Sequence, residues 1–172
     1  MSENTPTVVL VHGAFADGAS WSGVIERLQA KGVPVMAPAN PLRGIASDSG
    51  YLASVLAQID GPVVAVGHSY GGAVITNAAT EAENVVALVY VAAFAPDEGE
   101  NLTDLQSKFP APGAVPYFRQ HQLPDGGSEF TLAGRRGSRV ILDGLLVAGR
   151  GMEVAPPGGD GLAADDDLCE VV

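Results

Sequence analysis

Apolar residues fall in four short, near-continuous runs rich in Val and Ala: Thr7 to Val11, Val33 to Ala37, Val63 to Val66 and Val85 to Ala92. A strand with one wet face alternates apolar and polar positions, whereas an unbroken run reads as a strand covered on both faces, as in a parallel sheet. Between the runs the period changes. Trp21, Val24, Ile25 and Leu28, then Leu52, Val55, Leu56 and Ile59, follow the i, i+3, i+4, i+7 spacing of one apolar helical face. The interval Tyr70 to Glu83 is rich in small residues and compatible with a third helix. Gly32, and Gly61 with Pro62, stand where a helix should stop before the next strand. Strand and helix repeated three times and closed by a fourth strand predict an α/β fold: a doubly wound, mostly parallel sheet with helices on both faces.

The pattern breaks at Pro96. Pro110, Pro112, Pro116 and Pro124 interrupt a stretch that still holds Leu102, Leu105, Phe109, Tyr117 and Phe118, which predicts an irregular excursion or partial lid rather than sheet. From residue 131 the chain has no aromatic residue and no His; four of its seven arginines lie between Arg135 and Arg150, ahead of an acidic end at Asp165, Asp166, Asp167 and Glu170. Only Val140 to Val147 looks core-forming there, as helix or strand. The expected organisation is a core over 1–96, a partial lid over 97–130 and an atypical tail, open to disorder, over 131–172.

Composition narrows the function classes. A length of 172 residues is one domain's worth, and a formal charge of -11 argues against phosphate backbones and anionic membrane surfaces as partners. Hydrophobic residues at 47% and charged residues at 17% exclude disorder as the dominant state. Cys169, the single cysteine, allows no intrachain disulfide and no Cys-based metal site, which fits a reducing compartment. The polar start, Met1 to Thr7, and the short run Val8 to Val11 do not make a signal-peptide core or a membrane span, so the expected location is the cytoplasm.

The chemistry-bearing stretch runs from Val63 to Val74: a strand entering Gly67-His68-Ser69-Tyr70-Gly71, a GxSxG pattern, and then a helix. A nucleophile on such a turn needs small neighbours, because its Oγ is pushed out above the sheet while strand and helix pass close together at Gly67 and Gly71. The helix beginning at Tyr70 aims its first amides at the place where negative charge develops in acyl transfer. With 22 glycines in the chain the pattern alone is weak. Context strengthens it: the first strand ends in His12-Gly13-Ala14-Phe15, a small turn able to present a second backbone donor. In a doubly wound sheet the first and third strands are neighbours where the winding reverses, which is where ligands bind.

These residues resemble the α/β-hydrolase family, in its small esterase group that includes plant-type methylesterases and hydroxynitrile lyases. The resemblance rests on Val9 to Trp21, on Gly67 to Gly72 and on Val89 to Asp97, and covers about residues 5–130. It implies Ser69 as nucleophile, the N–H groups of Tyr70 and Ala14 (or Phe15) as oxyanion hole, Gly67, His68, Gly71, His12 and Gly13 as elbow and turn, a small carboxylic ester as substrate, and neither metal nor organic cofactor. It also implies an acid and a histidine on loops after two further strands, so the last two strands are expected to be missing here.

A serine hydroxyl needs a base within hydrogen-bond reach. The three histidines are His12, read as shaping the oxyanion turn; His68, whose side chain should point elsewhere; and His121, in the irregular segment and more simply an exposed loop residue. Asp97 follows the fourth strand, where some hydrolases keep their acid. Trp21 reads as a core anchor, and Phe15 as pocket wall or packing. The expected frame is thus a chain truncated or frameshifted after about residue 130, and two alternatives stand beside ester hydrolysis. One is a non-catalytic remnant that binds small esters. The other is lyase chemistry in the same site, for which no cationic Lys stands out. Loss of edge strands would leave the fourth strand as an apolar edge open to self-association.

Overall fold

A computed structural model of the chain describes residues 5–110, 115–124 and 126–132. The chain divides between Leu102 and Thr103 into two units. In the first, β1 (Thr7–Val11), β2 (Val35–Met36), β3 (Val63–His68) and β4 (Val85–Val91) form one parallel sheet in the order β2-β1-β3-β4. Helices α1 (Ser22–Ala30), α2 (Ile45–Leu56) and α3 (Tyr70–Ala78) connect them. Winding runs outward from β1 to β2, then crosses back to β3, so the switch in direction lies between β1 and β3.

Successive strand side chains point to opposite faces, and both faces here are apolar. Val9, Val11, Val63 and Ala65 pack with Leu52, Leu56, Val74 and Ile75 of α2 and α3 in one buried cluster. Leu10 and Val66 form a second cluster with Trp21, joined by the partly buried Val8, Val64 and Ile25. In β1 and β3 the unbroken apolar runs therefore report cover by α2 and α3 on one side and by α1 on the other. β4 departs from that expectation, with none of its residues buried and Val86 63% exposed, because it is bonded only to β3 among the described strands. Cover on the α1 side is thinner: no residue of α1 is fully buried, and Val24 of its apolar stripe is 39% exposed. The full-depth anchor is Trp21, in the 3-10 turn Gly18–Trp21 that leads into α1.

The extents of β2 and β3 differ from the apolar runs. β2 holds only Val35 and Met36 of the run Val33 to Ala37, because the Val33 N–H closes α1 on the Leu28 carbonyl at 3.0 Å and Pro34 has no N–H to give. Conversely β3 runs past Val66 through Gly67 and His68, which pair with Tyr90 and Val91 of β4.

The second unit corrects the expectation of an irregular excursion. Helix α4 (Leu102–Ser107) lies at the division, and a 3-10 turn at Val115–Tyr117 leads into an antiparallel hairpin of β5 (Phe118–Gln122) and β6 (Ser128–Leu132). Pro124 sits in its turn, not in a strand: the Gly126 N–H bonds the Leu123 carbonyl at 3.0 Å and the Leu123 N–H bonds the Gly127 carbonyl at 2.8 Å. The strands escape an apolar reading because Arg119, Gln120, His121 and Gln122 are polar and exposed. The run Val140 to Val147 and the acidic end lie outside the described residues.

Candidate active site

The register of the sheet brings the two sequence motifs together. Val11 pairs with Gly67, so His12-Gly13 leaves the end of β1 alongside His68-Ser69 at the end of β3. Gly13 lies so close that a Cβ there would stand 3.0 Å from both His68 Nδ1 and Ser69 Cβ. A Cβ at Gly67 would stand 2.5 Å from the Gly71 carbonyl oxygen and 2.6 Å from Gly72 N. One at Gly71 would strike the Val11 carbonyl oxygen, and one at Gly72 the Phe94 carbonyl oxygen. At Gly67, Gly71 and Gly72 the nearest barrier is backbone, so packing of this closeness requires glycine there.

Ser69 occupies the turn between β3 and α3 with φ 51° and ψ -120°, a region that residues with a side chain rarely adopt. Two hydrogen bonds hold it: its carbonyl accepts from the Gly72 N–H at 3.0 Å and from the Phe94 N–H at 3.1 Å. Tyr70 follows as the first residue of α3. Ala14 and Phe15, in the turn after β1, are partly exposed.

The three histidines separate by their surroundings. His12 is buried, and its ring is engaged on both sides: Nδ1 donates to the Gly13 carbonyl at 2.9 Å and Nε2 accepts from the Asn40 N–H at 3.1 Å. A carbonyl only accepts and an amide only donates, so these partners dictate a neutral ring with its proton on Nδ1. Asn40 returns the contact, its Nδ2 donating to the His12 carbonyl at 3.1 Å. His68 stands edge-on to Trp21, with ring centroids 6.4 Å apart and planes at 85°. Burial holds its pKa below the ordinary 6.5. His121 lies in the second unit, its Nε2 bonded to Thr131 Oγ1 at 2.9 Å across the hairpin. Asp97 is exposed beyond β4, its N–H donating to Glu100 Oε2 at 3.0 Å.

One pair escaped the sequence reading. Asp48, on the first turn of α2, is fully buried; its Oδ2 accepts from the Tyr70 hydroxyl at 2.7 Å and its Oδ1 from the Arg43 N–H at 2.9 Å. Burial and this carboxylate push the Tyr70 phenol well above its usual pKa of 10. The available signal is that Asp48 is the single charged residue of the stretch Ile45 to Leu56. Among the described residues no group of His, Cys, Asp and Glu is arranged to hold a metal ion, and no helix is long and apolar enough to cross a membrane.

A parallel sheet with a strained serine at its switch point defines a class of protein, and comparison with known proteins names it. A model of the alpha/beta hydrolase family matches residues 8–168, and the chain belongs to that family. It is 31% identical over 122 residues to a pyrethroid hydrolase of Sphingobium wenxiniae, a match covering 63% of this chain and 38% of that protein. A carbendazim hydrolyzing esterase of Nocardioides is 35% identical over 113 residues, covering 58% of this chain and 47% of the relative. The chain thus matches less than half the length of either. Among solved structures, polyneuridine aldehyde esterase superposes with a TM-score of 0.63 at 28% identity, over 76% of this chain and 59% of that one.

Proposed function

We propose that this chain carries the nucleophile side of a serine ester hydrolase. Ser69 Oγ attacks the carbonyl carbon of a small carboxylic ester, and the N–H groups of Tyr70 and of Ala14 or Phe15 receive the oxyanion. The alcohol leaves with a proton, and water then releases the acid from the acyl-serine. The observation that carries this reading is the Ser69 backbone, held at φ 51° and ψ -120° directly before a helix N-terminus and 3.0 Å, measured at its Cβ, from where a side chain on Gly13 would begin. No side chain at Gly13 intrudes on the space between the two turns. Matched relatives named as an esterase and a hydrolase support ester substrates.

Within the first unit His12 shapes the turn, since taking a proton at Nε2 would break its bond to Asn40. That engagement favours a second reading, a crevice that binds small esters without turning them over. Hydrolysis of a short-chain p-nitrophenyl ester by the full chain, beside Ser69→Ala and His121→Ala, separates the two. A rate abolished by Ser69→Ala supports hydrolysis, and the His121→Ala rate tells whether that histidine takes part. A wild-type rate equal to that of Ser69→Ala supports binding alone. β4 is bonded only to β3 among the described strands and exposes Val86 at 63%, Val89 at 42% and Tyr90 at 38%; we further propose that copies of the chain associate along it.

A further inference from the structure

We infer that Asp48 is a positioning residue for the Tyr70 N–H, the oxyanion donor of the reading above, on which this inference rests. A carboxylate with no exposed surface is costly to bury unless donors meet it, and the two that do come from different segments. Arg43 offers its backbone N–H from the approach to α2, and Tyr70 its hydroxyl from the start of α3.

The geometry gives that second bond a role at the site. The Ser69 carbonyl and the Tyr70 N–H belong to one planar trans peptide, so fixing one edge of the plane aims the other. The carbonyl edge is fixed by the N–H groups of Gly72 and Phe94 at 3.0 and 3.1 Å. Tyr70 Cα, at the other end of the plane, is tethered through its ring to Asp48, itself seated on α2 by its own N–H to the Gly44 carbonyl at 2.9 Å. The N–H is therefore aimed before any substrate arrives, which is the condition under which a donor stabilises a developing oxyanion without reorganising.

Deleting an oxyanion donor costs about 10²–10³ in kcat, so loosening one without removing it should cost roughly tenfold. The test uses the full chain with Tyr70→Phe, Asp48→Asn and the double variant, on a p-nitrophenyl ester with the Ser69→Ala rate subtracted. Expected are a kcat lowered roughly tenfold and a KM within about twofold, with the double variant no worse than the poorer single. Tyr70→Phe keeps the ring and its packing, so it carries the test if Asp48→Asn does not fold. The backbone ¹⁵N order parameter of Tyr70 should fall in Tyr70→Phe while that of Val74, inside α3, stays. If wild type shows no turnover dependent on Ser69, the hydrolase reading fails and the order parameters alone decide. A lower thermal midpoint with kcat and the Tyr70 order parameter unchanged would overturn the inference and leave Asp48 a purely stabilising residue.

Discussion

Replacing Gly67 by Ala isolates the close approach of β3 and α3. The added methyl would begin 2.5 Å from the Gly71 carbonyl oxygen and 2.6 Å from Gly71 C and Gly72 N, whereas real Cβ atoms keep at least 3.0 Å. Strand and helix must part by about half an ångström, and overpacking of this kind costs about 1–3 kcal/mol. At roughly 2–4 °C per kcal/mol for a chain of this size, the thermal midpoint should fall by about 2–12 °C. Gly50 is the internal control. It lies exposed within α2 with nothing within 4 Å of a Cβ, so Gly50→Ala should stabilise by about 0.5–1 kcal/mol through backbone entropy. Thermal and urea unfolding of both variants, followed by circular dichroism, reads the opposite signs. A Gly67→Ala chain as stable as wild type would refute the reasoning, because it would mean that strand and helix are not in backbone contact.

Relief of strain at Ser69 should be measurable without any substrate: Ser69→Gly removes about 1–3 kcal/mol of strain against roughly 0.4–1 kcal/mol of added chain entropy, so the urea midpoint should rise. No rise would mean that the turn is not strained. Because the folded pKa of His68 lies below 6.5, the folded state binds fewer protons than the unfolded one in that window. Its contribution to stability is whole above 6.5 and is lost as pH falls toward the folded value, so His68→Gln should lose less stability than wild type between about pH 7.5 and 5.5. Equal slopes would show that His68 is not the group responsible. Light scattering at tens of micromolar should show association that Val89→Lys, a charge placed on the exposed β4 edge, reduces; a monodisperse wild-type monomer would remove the β4 proposal.

What sequence alone determined is what a few neighbouring residues can encode. Unbroken apolar runs marked the four strands, though not that β4 stays exposed, the i, i+3, i+4, i+7 spacing marked α1 and α2, and Gly67, Ser69 and Gly71 marked a sharp strand-to-helix turn. Local patterns are blind where polarity and turn chemistry compete: the polar Arg119 to Gln122 form a strand, and Pro124, expected to break the segment, forms its turn. Tertiary structure alone decided the rest, because it depends on partners far apart in the chain. The pairing of Val11 with Gly67 sets Gly13 beside Ser69. Asn40, 28 residues from His12, dictates which nitrogen of that ring holds the proton. Asp48, 22 residues before Tyr70, meets the phenol only because α2 and α3 pack on the same face of the sheet. No periodicity encodes such pairs, because each is selected by the cost of burying a polar group without its partner.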